Sequence, residues 1–254
     1  MFLRVLGTLE VSDGEPGSGS TPRVVPGAKE RALLGRLLIC PGRAVPVNTL
    51  IDDLWDGAPP PSARKSLQAH VVRLRTSLEP ERPRGSPGQY VVHRGDGYLL
   101  AISAKDVDAG LVGLSAASGR AALAAGQAAA ARTLFADALA YWRGEAFADW
   151  PDAPWAEGER RRLAGIREGL LEGRIDAEFA LGLHRELLPE LEAMIAAEPL
   201  NEGWWRRLML ALYRSERQAD ALAAGRRARA WLDRELGVQP GPQLRQLEED
   251  ILRQ

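Results

Sequence analysis

The residues with most capacity for chemistry lie in one stretch, Pro61 to Pro80, where Arg64, Lys65, Arg73 and Arg75 stand among Ser62, Ser66, Gln68 and Thr76 and Glu79 is the only acid. These are cations and hydrogen-bonding groups, suited to holding an anion. Leu67, Val71, Leu74 and Leu78 recur at i, i+4, i+7 and i+11, the stripe of a helix with one buried face. With Leu67 at zero and a turn of about 100° per residue, the stripe centres near roughly 10°. Lys65, Ala69, Val72, Arg73 and Thr76 then fall on the far side, with Ser66 and Gln68 on its flanks. A basic helix with small or hydrogen-bonding groups on its exposed face suits the major groove of DNA. Taken alone, the stretch reads more readily as an ordinary solvated helix.

The neighbouring elements reverse that balance. Phe2 to Val11 alternates as a strand, with Leu3, Val5, Leu9 and Val11 on one face. SDGEPGSGST follows as a loop, and Pro22 to Pro26 returns as a short second strand. A helix from Gly27 carries Leu33, Leu34, Leu37 and Leu38 inward and stops at Pro41-Gly42. Ala44 to Pro46 is extended, and Asn48 is placed to cap a short helix whose Leu50, Ile51, Leu54 and Trp55 form an apolar face. Asp56 to Pro61 leads to the basic helix, which Ser62 can cap. After a loop, two alternating segments over 89–102 flank Arg94-Gly95-Asp96-Gly97, a strong hairpin signal. Strands, helix, strand, short helix, long helix and hairpin, in that order, make a winged helix-turn-helix. Arg43 ahead of the short helix and Arg94 at the wing tip would clamp phosphates. Arg64, Lys65, Gln68 or Arg73 could reach base edges, and Ala69 and Val72 could meet thymine methyls. Which of them read bases and which clamp phosphates depends on how the helix tilts.

Charge distribution agrees modestly. Residues 1–105 carry 14 Lys and Arg against 10 Asp and Glu, net +4, and the remainder 19 against 24, net −5, so a basic module is joined to an acidic one. Only Lys29, Lys65 and Lys105 are lysines, so each single arginine carries less weight than it would in a balanced composition. Cys40 is alone, which excludes a disulfide framework and a cysteine-based metal site. No signal peptide or membrane span is legible, so a cytoplasmic protein without membrane association is expected. The P-loop, G-x-G-x-x-G, G-x-S-x-G and H-E-x-x-H motifs are absent, and His70, His93 and His184 lie far apart. No catalysis, metal or cofactor is therefore expected.

From Asp106 the texture turns almost wholly helical, with helices near 107–125, 127–143, 154–182, 184–198, 201–214, 217–236 and 241–253. Ala131-x3-Phe135-x2-Ala138 and Trp205-x2-Leu208 with Ala221 and Ala228 fit a degenerate tetratricopeptide-like array. The expected fold is thus mainly α with a small β component: a winged helix over 1–105, then an all-α tetratricopeptide-like array over 106–254. Trp142, Trp150 and Trp155 gather around FADWPDAPW, while Trp204 and Trp205 open a helix. Adjacent indoles cannot both point into one core from a single helix face, which could leave one to line a groove, although core packing is the stronger reading of these tryptophans. That groove supports an alternative reading, a helical-repeat adaptor or sensor binding a protein or small molecule, with DNA binding secondary.

ERALLGRLLICPGRAVPVNTLIDDLW, PPSARKSLQAHVVRLRTSL and GYLL closely resemble the Streptomyces antibiotic regulatory protein (SARP) family. RTLFADALAYWRGEAFADW, RELLPELEAMIAAEPLNEGWWRRLMLALYRSERQADAL and ELGVQPGPQLRQLEEDILRQ resemble its companion bacterial transcriptional activation domain. The resemblance implies an activator of secondary-metabolite genes that binds direct repeats in double-stranded promoter DNA through an OmpR-type winged helix. It implies recruitment of RNA polymerase through its sigma factor, and two protomers head to tail on DNA. The helix at 61–78 becomes the recognition helix, 89–102 the wing, and the connection Trp55, Asp56, Gly57, Ala58, Pro59 and Pro60 the surface facing polymerase. Val72 departs from the pattern, standing where many relatives carry serine. The chain closes where the second domain does, which fits a small stand-alone regulator or a truncated one.

Overall fold

The computed structural model describes residues 1–14, 21–83 and 85–253. Of the loop expected over residues 12–21, residues 15–20 fall outside them. The chain forms two compact units, Met1–Ala121 with Thr133–Leu171, and Ala122–Arg132 with Glu172–Gln254. The change of texture near residue 105 thus marks the start of the helical array, whereas compaction divides the chain elsewhere.

The first unit opens with strands β1 (Phe2–Arg4), β2 (Glu10–Ser12) and β3 (Pro22–Arg23), antiparallel in that order, with Leu3 opposite Val11. The single strand expected over 2–11 is therefore a hairpin. Its middle is drawn off by partners far along the chain. The Val5 N–H donates to both oxygens of Asp108 (2.9 and 3.0 Å) and the Leu6 N–H to Oδ2 (3.1 Å). The carbonyls of Val5, Leu6 and Gly7 accept from the N–H groups of Phe147, Arg143 and Ala148. Gly7, at φ +141°, supplies the backbone geometry of this turn. Burial pushes the Asp108 carboxyl up despite the amides that donate to it.

The winged helix follows as α1 (Ala28–Leu38), β4 (Val45–Pro46), α2 (Val47–Leu54), α3 (Ala63–Leu78), β5 (Val91–Arg94) and β6 (Gly97–Leu100). The second sheet runs β4-β6-β5, antiparallel throughout, which sets the wing beside the end of α1. Leu33, Leu34 and Leu37 of α1, Leu50 and Leu54 of α2, and Leu67, Val71 and Leu74 of α3 are buried together as the three-helix core. Both expected side-chain caps are corrected. Asn48 lies inside α2, which starts one residue earlier after Pro46, and Ser62 holds the N-cap position of α3 without a side-chain bond. The Ser62 carbonyl instead accepts from the Ser66 N–H (2.9 Å).

Helices α4 (Asp108–Ala124), α5 (Ala128–Leu139) and α6 (Pro154–Ala180) contribute residues to both units. Within the first unit α4 receives Phe135 of α5 at Gly119, where a Cβ would stand 2.5 Å from the ring. Trp150 lies on Gly35 of α1 in the same way and packs 5.4 Å from Trp155.

The second unit is built from α7 (Leu188–Ala197), α8 (Glu202–Arg214), α9 (Gln218–Leu236) and α10 (Pro242–Arg253) with the last third of α6 and residues 122–132. Alanines and glycine let α8 and α9 approach closely: Ala221, Ala224 and Ala228 are buried, and Met209 packs on Gly225. Trp204 and Trp205 are both buried, in line with the core-packing reading, and neither lines a groove. Helix α8 is packed by α7, α9 and α10, so two directions about 100° apart both lead inward. Each indole N–H has a partner, Glu198 Oε2 at 3.2 Å for Trp204 and the Pro199 carbonyl at 2.9 Å for Trp205. Among the described residues no helix is long and apolar enough to cross a membrane.

Asp108→Ala strips the turn at Val5 and Leu6 of its acceptors. It should destabilise the protein by about 2–5 kcal/mol, since each orphaned buried amide costs about 1–3 kcal/mol; chemical denaturation measures it.

Candidate nucleic-acid interface

Helix α3 presents two stripes of equal spacing. Leu67, Val71, Leu74 and Leu78 face the core, while Lys65, Ala69, Val72 and Thr76 repeat the same i, i+4, i+7, i+11 interval on the exposed side. Ser62, Arg64, Gln68 and Arg73 are also exposed, and Ser66 and Arg75 are half-buried. Lys65, Ala69, Val72, Arg73 and Thr76 thus share the exposed side of α3, Ser66 and Arg75 lie on its flanks, and Arg94 at the wing and Arg43 ahead of β4 are exposed.

The cations on this surface differ in how freely they can move. Glu30, in the first turn of α1, is 4% exposed and receives His70 Nδ1 at 3.0 Å and the Nε of Arg73. The Arg73 Nη2 also lies 2.7 Å from His70 Nδ1. A single ring nitrogen cannot donate to the carboxylate and accept from the guanidinium together, so these two contacts alternate with the tautomer. Burial pushes the Glu30 carboxyl up, but hydrogen bonds from His70, Arg73 and its own N–H outweigh that and hold it below the usual carboxylate range. Its position at the helix N-terminus suits a negative charge. Arg73, a candidate base reader in the sequence, thus has its Nε committed to α1.

Arg75 is engaged on the other side of the helix. Its Nε donates 2.8 Å to the Val91 carbonyl, tying α3 to the wing. Glu79 reinforces the joint, its carboxylate accepting from the N–H groups of Gln89 (2.9 Å) and Tyr90 (3.0 Å). Arg64 donates to Asn48 Oδ1 at 3.0 Å. No hydrogen-bond or ion-pair partner engages the side chains of Arg43, Lys65, Gln68 or Arg94 among the described residues. The sequence showed Glu79 only as the sole acid of the basic stretch, and gave no signal for Glu30, which lies on another helix.

The connection after α2 has two parts. Trp55 is half-buried, with its ring 5.9 Å from His70 and Lys29 Nζ 5.3 Å above it. Asp56, Gly57, Ala58, Pro59 and Pro60 are exposed, and Asp56 and Gly57 turn the chain at φ +52° and +75°. A cleft of about 550 Å³ adjoins Asp56, lined by Lys29, Asp53, Trp150 and Trp155 among others. Among the described residues no group of His, Cys, Asp and Glu is placed to hold a metal ion.

Residues 22–100 match the family described as transcriptional regulatory protein, C terminal, and residues 107–252 match the bacterial transcriptional activator domain. The chain is 39% identical over 225 residues to the regulatory protein AfsR of Streptomyces griseus, covering 89% of this chain and 22% of that one. It is 35% identical over 228 residues to the regulatory protein DnrI of Streptomyces peucetius, covering 89% and 84%. It thus spans about a fifth of the AfsR relatives' length and most of DnrI. The solved structure of Mycobacterium tuberculosis EmbR in complex with a low affinity phosphopeptide superposes with a TM-score of 0.88 at 33% identity, over 99% of this chain and 65% of that one.

The two matches define a transcriptional regulatory winged-helix domain joined to a helical bacterial transcriptional activator domain. The chain belongs to the Streptomyces antibiotic regulatory protein family of transcriptional activators.

Glu30→Gln should lower stability at pH 7 by about 1–3 kcal/mol by weakening a buried charged network. A carboxylate depressed in the folded state stabilises fully above its unfolded value of 4.5 and loses that contribution as pH falls through the folded value. Denaturant titrations from pH 7 down to pH 3 should therefore show wild type and variant converging in acid.

Proposed function

We propose that the protein activates transcription by laying α3 in the major groove of promoter direct repeats, two protomers head to tail, while the wing holds the flanking phosphates. The observation that carries this is the exposed stripe of α3, where Lys65 and Gln68 have no competing partner among the described residues and Ala69, Val72 and Thr76 leave room for close approach. Arg43 and Arg94 supply the phosphate contacts on either side, and Ser62, Arg64 and Ser66 those at the helix N-terminus. Arg73 and Arg75 reach the backbone with the guanidinium nitrogens that Glu30 and Val91 leave open. Residues 1–105 act as the DNA-binding domain and 106–254 as the activation domain. The exposed turn Asp56 to Pro60, with Trp55 as its packed base, meets the sigma factor of RNA polymerase. The protein works in the cytoplasm without cofactor or catalysis, on genes of secondary metabolism. The family membership supports the reading as a DNA-binding activator.

Footprinting on the promoters beside its own gene, with and without polymerase holoenzyme, should reveal paired repeats. Affinity should fall steeply with salt, as phosphate contacts require. Lys65→Ala should weaken operator binding by about 1–3 kcal/mol if the side chain reaches a base. Equal affinity for scrambled DNA would sink the reading. Joint replacement of Pro59 and Pro60 by alanine should leave operator affinity intact and lower transcription by the holoenzyme; wild-type transcription would remove the turn from the polymerase surface.

A further inference from the structure

The centre of the exposed stripe is apolar, which is an odd choice for a surface that meets a polyanion. Val72 is 55% exposed, and it is the one large hydrophobic side chain on α3 that points to solvent among the described residues. Ala69 lies one turn before it and Thr76 one turn after, both exposed. The Thr76 hydroxyl donates 3.1 Å to the Val72 carbonyl, so its proton is spent within the helix and its methyl is left as an unspent contact group. A lone surface valine is ordinary. Here, however, the guanidinium groups that flank it are held by protein: Arg73 by Glu30, Arg75 by the Val91 carbonyl and Arg64 by Asn48. The uncommitted polar readers, Lys65 and Gln68, sit together at the N-terminal end of the stripe.

In the major groove each base pair offers donors and acceptors, and thymine alone adds an apolar group, its C5-methyl. Resting on the groove-binding reading above, we propose that Ala69, Val72 and Thr76 form an apolar strip that selects thymine by van der Waals contact, with Val72 as the principal specificity-determining residue. Cytosine at the same strand position leaves the valine facing a polar amino group without a methyl to cover it. Lys65 and Gln68 then read the purine end of the half-site, and discrimination by arginine on guanine is the lesser part of recognition.

The test uses the full chain and an operator defined by footprinting. Each thymine of a half-site is replaced in turn by deoxyuridine, which removes only the methyl and keeps the pairing. At the position facing Val72 the affinity should fall about three- to fivefold, the worth of one buried methyl-sized group. Val72→Ala should lose affinity for the thymine operator and show no further loss on the deoxyuridine operator. Because Val72 is exposed, its melting curve should match wild type. Unchanged affinity for every deoxyuridine operator overturns the proposal, as does full multiplication of the two penalties, which would make them independent. A half-site without thymine opposite the strip overturns it as well. If the protein does not prefer its operator to scrambled DNA, the groove-binding reading itself fails, a result distinct from intact preference without a methyl effect.

Discussion

The surface of this protein is governed by one carboxylate that has almost no contact with water. Glu30 sits under the first turn of α1, and its desolvation has to be offset by charged or donating partners. It takes them from α3, as His70 and Arg73. The pairing ties the middle of α3 to α1 in the rotation that the buried stripe Leu67, Val71, Leu74 and Leu78 requires, with Lys65, Ala69, Val72 and Thr76 outward. Trp55, packed on His70 beneath Lys29, links the same hub to the start of the exposed Asp56–Pro60 turn. The exposed stripe of α3 and the turn before it therefore share one buried anchor.

A second constraint lies at the N-terminus. The turn Val5–Leu9 has too few strand partners of its own, so its amides and carbonyls are satisfied by Asp108 and by the segment Arg143–Asp149. Each buried backbone group left unpaired would cost about 1–3 kcal/mol, which favours ordering that segment against the turn. The result is that the winged helix, the start of α4 and the Phe147–Trp155 junction form one compact unit. A module that the sequence presents as an independent front end is thus stitched to the first helices of the array.

Much of the fold was legible because it follows from short-range pattern. Helical periodicity placed α1 to α10 within a few residues, and the Arg94–Gly97 turn announced the wing. The candidate surface was legible to the same depth, since exposure on α3 follows from the stripe opposite it. What stayed hidden was the employment of individual side chains. Arg73 and Arg75 looked as available as Lys65, yet their partners, Glu30 and the Val91 carbonyl, lie on other elements. Trp204 and Trp205 looked unable to share a core, because a single helix has one inner face until three neighbours surround it. The strand over 2–11 broke for a similar reason, since the groups that capture its middle are more than a hundred residues away.

The sequence by itself determined which face of each helix is apolar, the order of the winged-helix elements and the kinship to a family of activators. These depend on residues within a few turns of one another, where 3.6-residue and two-residue periods act directly. Only the tertiary structure decided which cations are free to meet a ligand and which are already spent on the fold. A guanidinium has five donors, and nothing local says whether a buried carboxylate or carbonyl from another element will claim them. That claim is settled by packing, which brings Glu30 beneath Arg73 and leaves Val72 facing outward.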